Sequence, residues 1–185
     1  MREFDFNVSH GAVVDFSESN SQSVAEYFSR NQKHLEASMP KRSSEFYTCA
    51  FWREQLSRYQ LSRAAGNELR FALVDGGKVV GIISYDQIVK GPFRACYLGY
   101  SIDREYQGKG LMREALSQTI SYVMGEVKLN RVMANYEPSN QRSAKLLKSL
   151  GFEREGYARK YLKLNGMWRD HILTSLISDW ESLKE

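Results

Sequence analysis

Cysteine and histidine are scarce in this chain: two cysteines and three histidines in 185 residues. Cys49 and Cys96 are too few for a disulfide framework or a metal cage, and are expected as buried free thiols. His10, His34 and His171 show no ligand spacing to one another or to cysteine, which argues against metal catalysis. No stretch approaches the roughly 18 apolar residues of a membrane span. The opening "MREFDFNVSHGAVVDF" carries acidic residues where a signal peptide keeps an apolar run. Internal repeats, linkers, low-complexity tracts and RNA-binding signatures are also missing. A soluble, cytoplasmic protein with no membrane and no DNA partner is expected.

What is present is enough for one well-buried core, since 42% of the residues are hydrophobic, and a single domain over 1–185 is expected. The net charge of +4 and a pI near 9.0 favour polyanionic ligands or surroundings without requiring nucleic acid.

Periodicity supplies the elements. "GAVVDFSE" predicts a strand, and "SQSVAEYFSRNQKHL" a helix with Val24, Tyr27, Phe28 and Leu35 on one stripe. Residues 43–66 predict a second helix, with Phe46, Ala50, Trp52, Leu56, Tyr59 and Arg63 at helical spacing and Gly66 as its stop. Alternation on both sides of Asp75-Gly76-Gly77 predicts a hairpin, and "FRACYLGYSID" a third strand beside it. Leu111, Ala115, Leu116, Ile120, Val123, Met124 and Val127 mark an amphipathic helix. "RVMANY" reads as a strand, "SNQRSAKLLKSLG" as a short helix closed by Gly151, and "YLKLNGMWRDHILTSLI" as a hairpin turning at Asn165-Gly166. The fold class is α/β (α+β type): one domain with a mixed, mostly antiparallel sheet flanked by helices. The strand–helix–strand crossover over 96–136 requires one parallel pair in that sheet.

The junction "REYQGKGLMREAL" (104–116) joins a strand to a helix through two glycines. Gly108 and Gly110 permit a tight turn and close approach to a ligand, while the helix start offers unpaired N–H groups and a positive dipole end. Lys109, Arg104 and Arg113 would reinforce an anion pocket there. A P-loop is excluded, because Asp103 and Gly110 stand where Gly and Ser or Thr are required. A dinucleotide fingerprint is excluded by Arg113.

"YSIDREYQGKGLMREAL" resembles the pyrophosphate-binding motif of the GCN5-related N-acetyltransferases: Gln107, two residues, Gly110, one residue, then Gly or Ala, a position that Met112 breaks. "NYEPSNQRSAKLLKSLGF" adds the later strand, Asn135, Asn140, Ser143 and the terminal Gly151-Phe152 in the order of that family. Across 95–176 the chain is similar to its ribosomal-protein-alanine branch. The resemblance implies a sheet splayed at the acetyl-coenzyme A site, with the cofactor's pyrophosphate on Gln107, Gly108, Lys109, Gly110, Leu111 and Met112. Its pantetheine would follow the backbone of Tyr100, Ser101 and Ile102, and Asn135, Asn140 and Ser143 would complete the cofactor site. Acetyl-CoA is then a co-substrate and no metal is needed.

The implied reaction is acetyl transfer to the N-terminal α-amine, alanine by resemblance, of a small-subunit ribosomal protein, with ribosome association a further implication. An α-amine of pKa about 7.7–8.0 is roughly 10–20% neutral at pH 7, against about 0.04% for lysine, so a weak base suffices. Glu137, Asp170 and His171 are the candidate bases; Ser143, with Asn140 one turn before it, is the candidate proton donor to the leaving thiolate. Glu137, Asn140 and Ser143 form the catalytic set carried forward. Tyr97, Tyr136, Tyr157, Tyr161 and Trp168 are candidate walls of a peptide channel. Two other readings stay open: transfer to a small amine, amino acid or antibiotic, and a non-catalytic ribosome- or RNA-binding module.

Overall fold

The structure, a computed structural model, describes residues 5–179. The ends of the expected 1–185 domain, residues 1–4 and 180–185, lie outside the described residues. Among the described residues the strands form one eight-stranded sheet in the order β1-β2-β3-β4-β5-β6-β8-β7. The strands are β1 (Asp5–Asn7), β2 (Ala12–Asp15), β3 (Leu69–Asp75), β4 (Lys78–Val89), β5 (Ala95–Ile102), β6 (Arg131–Met133), β7 (Glu153–Leu164) and β8 (Met167–Ile177). Every neighbouring pair is antiparallel except β5 and β6, which are parallel as the crossover requires. The open, mixed sheet agrees with the expected fold class. Strand β1 has no counterpart in the sequence reading, because three residues are too few to establish a period.

Both hairpin turns carry the left-handed pair of a type I′ turn: Gly76 and Gly77 at φ 54° and 77°, Asn165 and Gly166 at 43° and 80°. The first helical segment divides into α1 (Ser21–Arg30) and α2 (Gln32–Leu35). Asn20 caps α1 by accepting from the Gln22 and Ser23 N–H groups. Asn31 breaks the segment, donating back to the Tyr27 carbonyl and accepting from the Arg104 N–H. The expected helix over 43–66 is shorter: Phe46 lies in a 3₁₀ turn, and α3 (Cys49–Ala64) begins only where the Thr48 hydroxyl caps it by accepting from the Phe51 N–H. Ala50 is exposed rather than part of the buried stripe, and Cys49 is only half-buried, so of the two thiols Cys96 alone is buried. Helix α4 (Leu111–Gly125) stops before Val127, and α5 (Gln141–Ser149) ends at Gly151 with φ 86°.

Two apolar cores follow, one on each side of the sheet. Against α1 and α3 the core is aromatic: Phe28 stacks on Trp52 at 4.8 Å with Phe46 edge-on to both, and the Trp52 indole N–H donates to the Phe46 carbonyl. Against α4 the core is largely aliphatic, with Leu111, Leu116 and Val123 on Leu73, Ile83 and Val132; its buried Tyr85 hydroxyl donates to Thr119.

Candidate functional site

Strand β5 pairs with β6 only from Ala95 to Tyr97, while its Leu98–Ile102 stretch keeps β4 alone as partner. Beyond Met133 the chain of β6 turns toward β8, the Ala134 N–H donating to Thr174 and Tyr136 bridging Ile172. The sheet therefore opens into a V, and a cleft of about 1840 Å³ runs through it. The backbone of Tyr100, Ser101 and Ile102 lines the opened edge.

The glycine turn closes one end of the cleft. Gly108 and Gly110 have φ of 74° and 81°, and a methyl group added at either would meet no atom within 4 Å. Gly110 is the N-cap of α4 and brings no side chain to satisfy the first N–H groups, so these face the open space. Met112 departs from the motif without closing the pocket: its side chain is 6% exposed and packs into the aliphatic core, leaving its backbone toward the turn. Arg104 and Arg113 line the cleft, whereas Lys109 is exposed with its ammonium 5.1 Å from the Tyr106 ring centroid. The Gln107 amide ties this end together, contacting His34 Nε2 at 2.7 Å and accepting from Arg142 of α5.

The other candidates divide into those facing the cleft and those facing away. Asn140 caps α5 by accepting from the Ser143 N–H at 3.1 Å, which sets Ser143 on the first turn and inside the cleft. The buried Tyr100 hydroxyl lies beside Ser143 without a well-formed hydrogen bond, and burial pushes its pKa up, so it stays a protonated donor at neutral pH. Asn135 lines the cleft with its side chain held at both ends, donating to Tyr161 Oη at 2.9 Å and accepting from the Thr174 N–H at 3.2 Å. Glu137 lies in the cleft 3.9 Å from Arg169. His171 is 4% exposed, with Nδ1 3.2 Å from the Arg169 carbonyl and its ring 5.3 Å from that of Tyr161.

Three candidates are on the outside. Asp170 accepts from the Tyr157 hydroxyl and the Lys160 N–H, bonds that hold its carboxyl below the usual carboxylate range and tie it to the outer side of the β7–β8 hairpin. Tyr157 and Trp168, 49% and 58% exposed, do not line the cleft; Tyr97, Tyr136 and Tyr161 do. On β8 strand alternation sends Trp168 and Asp170 to one face and Arg169 and His171 to the other, while on β7 the register shift between Ala158 and Leu162, with Lys160 at φ 48°, separates outer Tyr157 from inner Tyr161.

The wall opposite α5 includes residues with no sequence motif. Ile82, Ser84 and Asp86 of β4 face Ser101, Gly99 and Tyr97 of β5 across the ladder, and all six line the cleft. The Asp86 carboxylate accepts from Ser84 Oγ at 2.8 Å and lies 3.1 Å from Arg70 Nη2, while Arg70 Nε is 2.7 Å from Glu68. The available signal was the polar phase of β4, which reads equally as a solvated face. Over this wall the Asn165 N–H of the second hairpin donates to the Met39 carbonyl at 3.2 Å, roofing the cleft. Among the described residues no group of three His, Cys, Asp or Glu side chains could hold a metal ion, and no helix is long and apolar enough to cross a membrane.

A family profile described as acetyltransferase (GNAT) domain matches residues 14–153. The chain is 41% identical over 160 residues to the [ribosomal protein uS5]-alanine N-acetyltransferase of Escherichia coli, covering 85% of this chain and 82% of that protein. Its structure superposes with a TM-score of 0.92 on the ribosomal-protein-S5-alanine acetyltransferase of Vibrio fischeri, 43% identical, covering 95% and 97% of the two chains. Mycobacterium smegmatis RimJ, solved with CoA-disulfide, shares the fold at a TM-score of 0.86 and 24% identity, covering 99% and 89%.

Proposed function

Because this chain belongs to the GNAT acetyltransferase family, we propose that it transfers acetyl from acetyl-CoA to the N-terminal α-amine, alanine, of a small-subunit ribosomal protein. The observation that carries the reading is the V between β5 and β6 with the glycine turn at its end: an extended pantetheine fits the opened edge and a pyrophosphate fits the start of α4. The 41% and 43% identities to two uS5-alanine enzymes support the acceptor. The reaction would then take place in the cytoplasm, where ribosomal proteins are made.

In this reading Gln107 through Met112 hold the pyrophosphate, with Arg104, Arg113 and Arg142 supplying positive charge. A backbone N–H along Tyr100–Ile102 meets the oxyanion formed when the neutral amine adds to the thioester carbonyl. Ser143 Oγ gives a proton to the departing thiolate and is recharged through the Tyr100 hydroxyl or solvent. Asn140 holds α5 in register for Ser143, and Asn135, anchored at both ends, positions the inner wall. Glu137 and His171 remain as the bases within reach of the cleft. A water-relayed base suffices because an α-amine is already partly neutral at pH 7.

The test is release of free CoA thiol with two peptides, one with a free N-terminal alanine and no lysine, the other N-terminally blocked with an internal lysine. Turnover of the first alone is expected. Turnover of polyamines or amino acids but neither peptide would instead establish the small-amine reading.

A further inference from the structure

We propose that Asp86 is the residue that receives the positively charged amine end of the acceptor. The inference rests on the acetyl-transfer reading above and goes beyond it by assigning the acceptor's chemical handle to a named group.

Three observations carry it. The first is position. Asp86 stands directly across from Tyr97, two residues along the ladder from the Ser84–Gly99 pair, so its backbone is a strand diagonal of roughly 7–8 Å from Gly99. Gly99 is exposed to the cleft, and a methyl group there would come within 3.1 Å of Ser84 Oγ. Glycine at 99 thus leaves room for the Ser84 hydroxyl beside Asp86, on the strand whose other edge is opened for the thioester.

The second is charge. Arg70 is shared between Asp86, at 3.1 Å, and Glu68 behind the cleft wall, at 2.7 Å, so it neutralises the Asp86 carboxylate only in part. At the other end of the cleft Arg104, Arg113 and Arg142 collect positive charge around the glycine turn. One end suits a polyanionic cofactor; the other suits a cation.

The third is rigidity. The Asp86 carboxylate is oriented by the Ser84 hydroxyl, and the ladder register slips between Asp86 and Val89, with Gln87 at φ 53°. Such a bulge re-aims side chains next to it. Here it ends regular pairing where the acid faces the cleft.

An ammonium held by a carboxylate makes one charge-assisted hydrogen bond in place of a water; the amine arrives in that form and gives up its proton to the base of the cleft before, as the neutral amine, it adds to the thioester. Asp86 therefore selects for a cationic end, while the rest of the cleft distinguishes one amine from another.

The experiment compares wild-type protein with Asp86→Asn by thiol release, varying the acceptor and acetyl-CoA separately, together with thermal melting. The acceptor is whichever wild type uses best among an N-terminal alanine peptide, a polyamine and an amino acid. The expected result is an acceptor KM raised about tenfold, as when a neutral hydrogen bond replaces a charge-assisted one, with the acetyl-CoA KM and melting temperature unchanged. The same peptide bearing a hydroxyl in place of its amine should inhibit both proteins equally, because it offers Asp86 no charge. An unchanged acceptor KM overturns the proposal. So does a parallel rise in both KM values with a lowered melting temperature, which would assign Asp86 to the fold. If wild type uses only polyamine or amino acid, the ribosomal reading fails while Asp86 is still tested on that amine; if it acetylates no amine, both fall.

Discussion

The two walls of the cleft are built differently. One is nearly continuous chain: the opened edge of β5, the glycine turn and the first turn of α4, with the start of α5 beside them. The other gathers one or a few residues from each of α1, the stretch after α2, β3, β4 and the second hairpin. The continuous wall works through backbone N–H groups and helix ends, which need glycine and a cap rather than particular side chains. The assembled wall works through side chains that must be brought together and held by a core, here the aromatic cluster of Phe28, Phe46 and Trp52. The first should therefore be sensitive to local changes within it, and the second to changes in packing beneath it.

The largest effect expected from breaking that contrast is on stability. Trp52→Ala removes the ring that stacks on Phe28 and the N–H that holds the Phe46 carbonyl, and should cost about 3–5 kcal/mol in urea unfolding. Under native conditions its acceptor KM should rise more than its acetyl-CoA KM. Next, Ser143→Ala should lower kcat about a hundredfold, the low end of what a positioned proton donor supplies, with acetyl-CoA KM within about twofold of wild type. Gly110→Asp, which Asp tolerates in the left-handed region, sets a negative charge in the open space of the anion pocket. It should raise the acetyl-CoA KM about thirtyfold, matching the loss of one charge-assisted hydrogen bond of about 2 kcal/mol. Trp168→Ala, on the exposed face of the hairpin, should leave stability within about 0.5 kcal/mol and both KM values unchanged. A clear loss of acceptor affinity there would extend the assembled wall to the outside of the hairpin.

Asp103 links the two walls and yields a pH dependence. Burial alone would raise its carboxyl pKa, but hydrogen bonds from Arg30, Asn31 and the Glu105 N–H outweigh burial and hold it below the usual carboxylate value. A folded pKa below the unfolded one means that stability is fully present above about pH 4, the unfolded value, and is lost as pH falls through the folded value. Acid unfolding of Asp103→Asn should show a shallower fall over that window than wild type does. At the opposite extreme, burial pushes the Cys96 thiol up to about 12, so a thiol reagent should label Cys49 well before Cys96 in the folded protein.

Legibility from sequence followed the same division. The glycine turn, the start of α4 and the Asn140–Ser143 spacing were readable because each depends on residues within one turn of each other. The hairpins at Gly76-Gly77 and Asn165-Gly166 were readable for the same reason. Asp170, Tyr157 and Trp168 were grouped with the site by residue type alone; strand alternation on β8 and the register shift in β7 carried them to the outer side of the hairpin. Asp86, Ser84 and Arg70 went unmarked because a polar phase on a strand has the same pattern whether it meets bulk water or a cleft.

By itself, the sequence determined the longer elements, their order, the parallel crossover and the glycine turn that suits an anion, since these follow from local periodicity, caps and left-handed residues. Only the tertiary structure decided where β5 and β6 part, which face of each strand lines the opening, and which distant side chains share a hydrogen bond across it. Those outcomes depend on how helices pack against a twisted sheet, and no single segment carries that information.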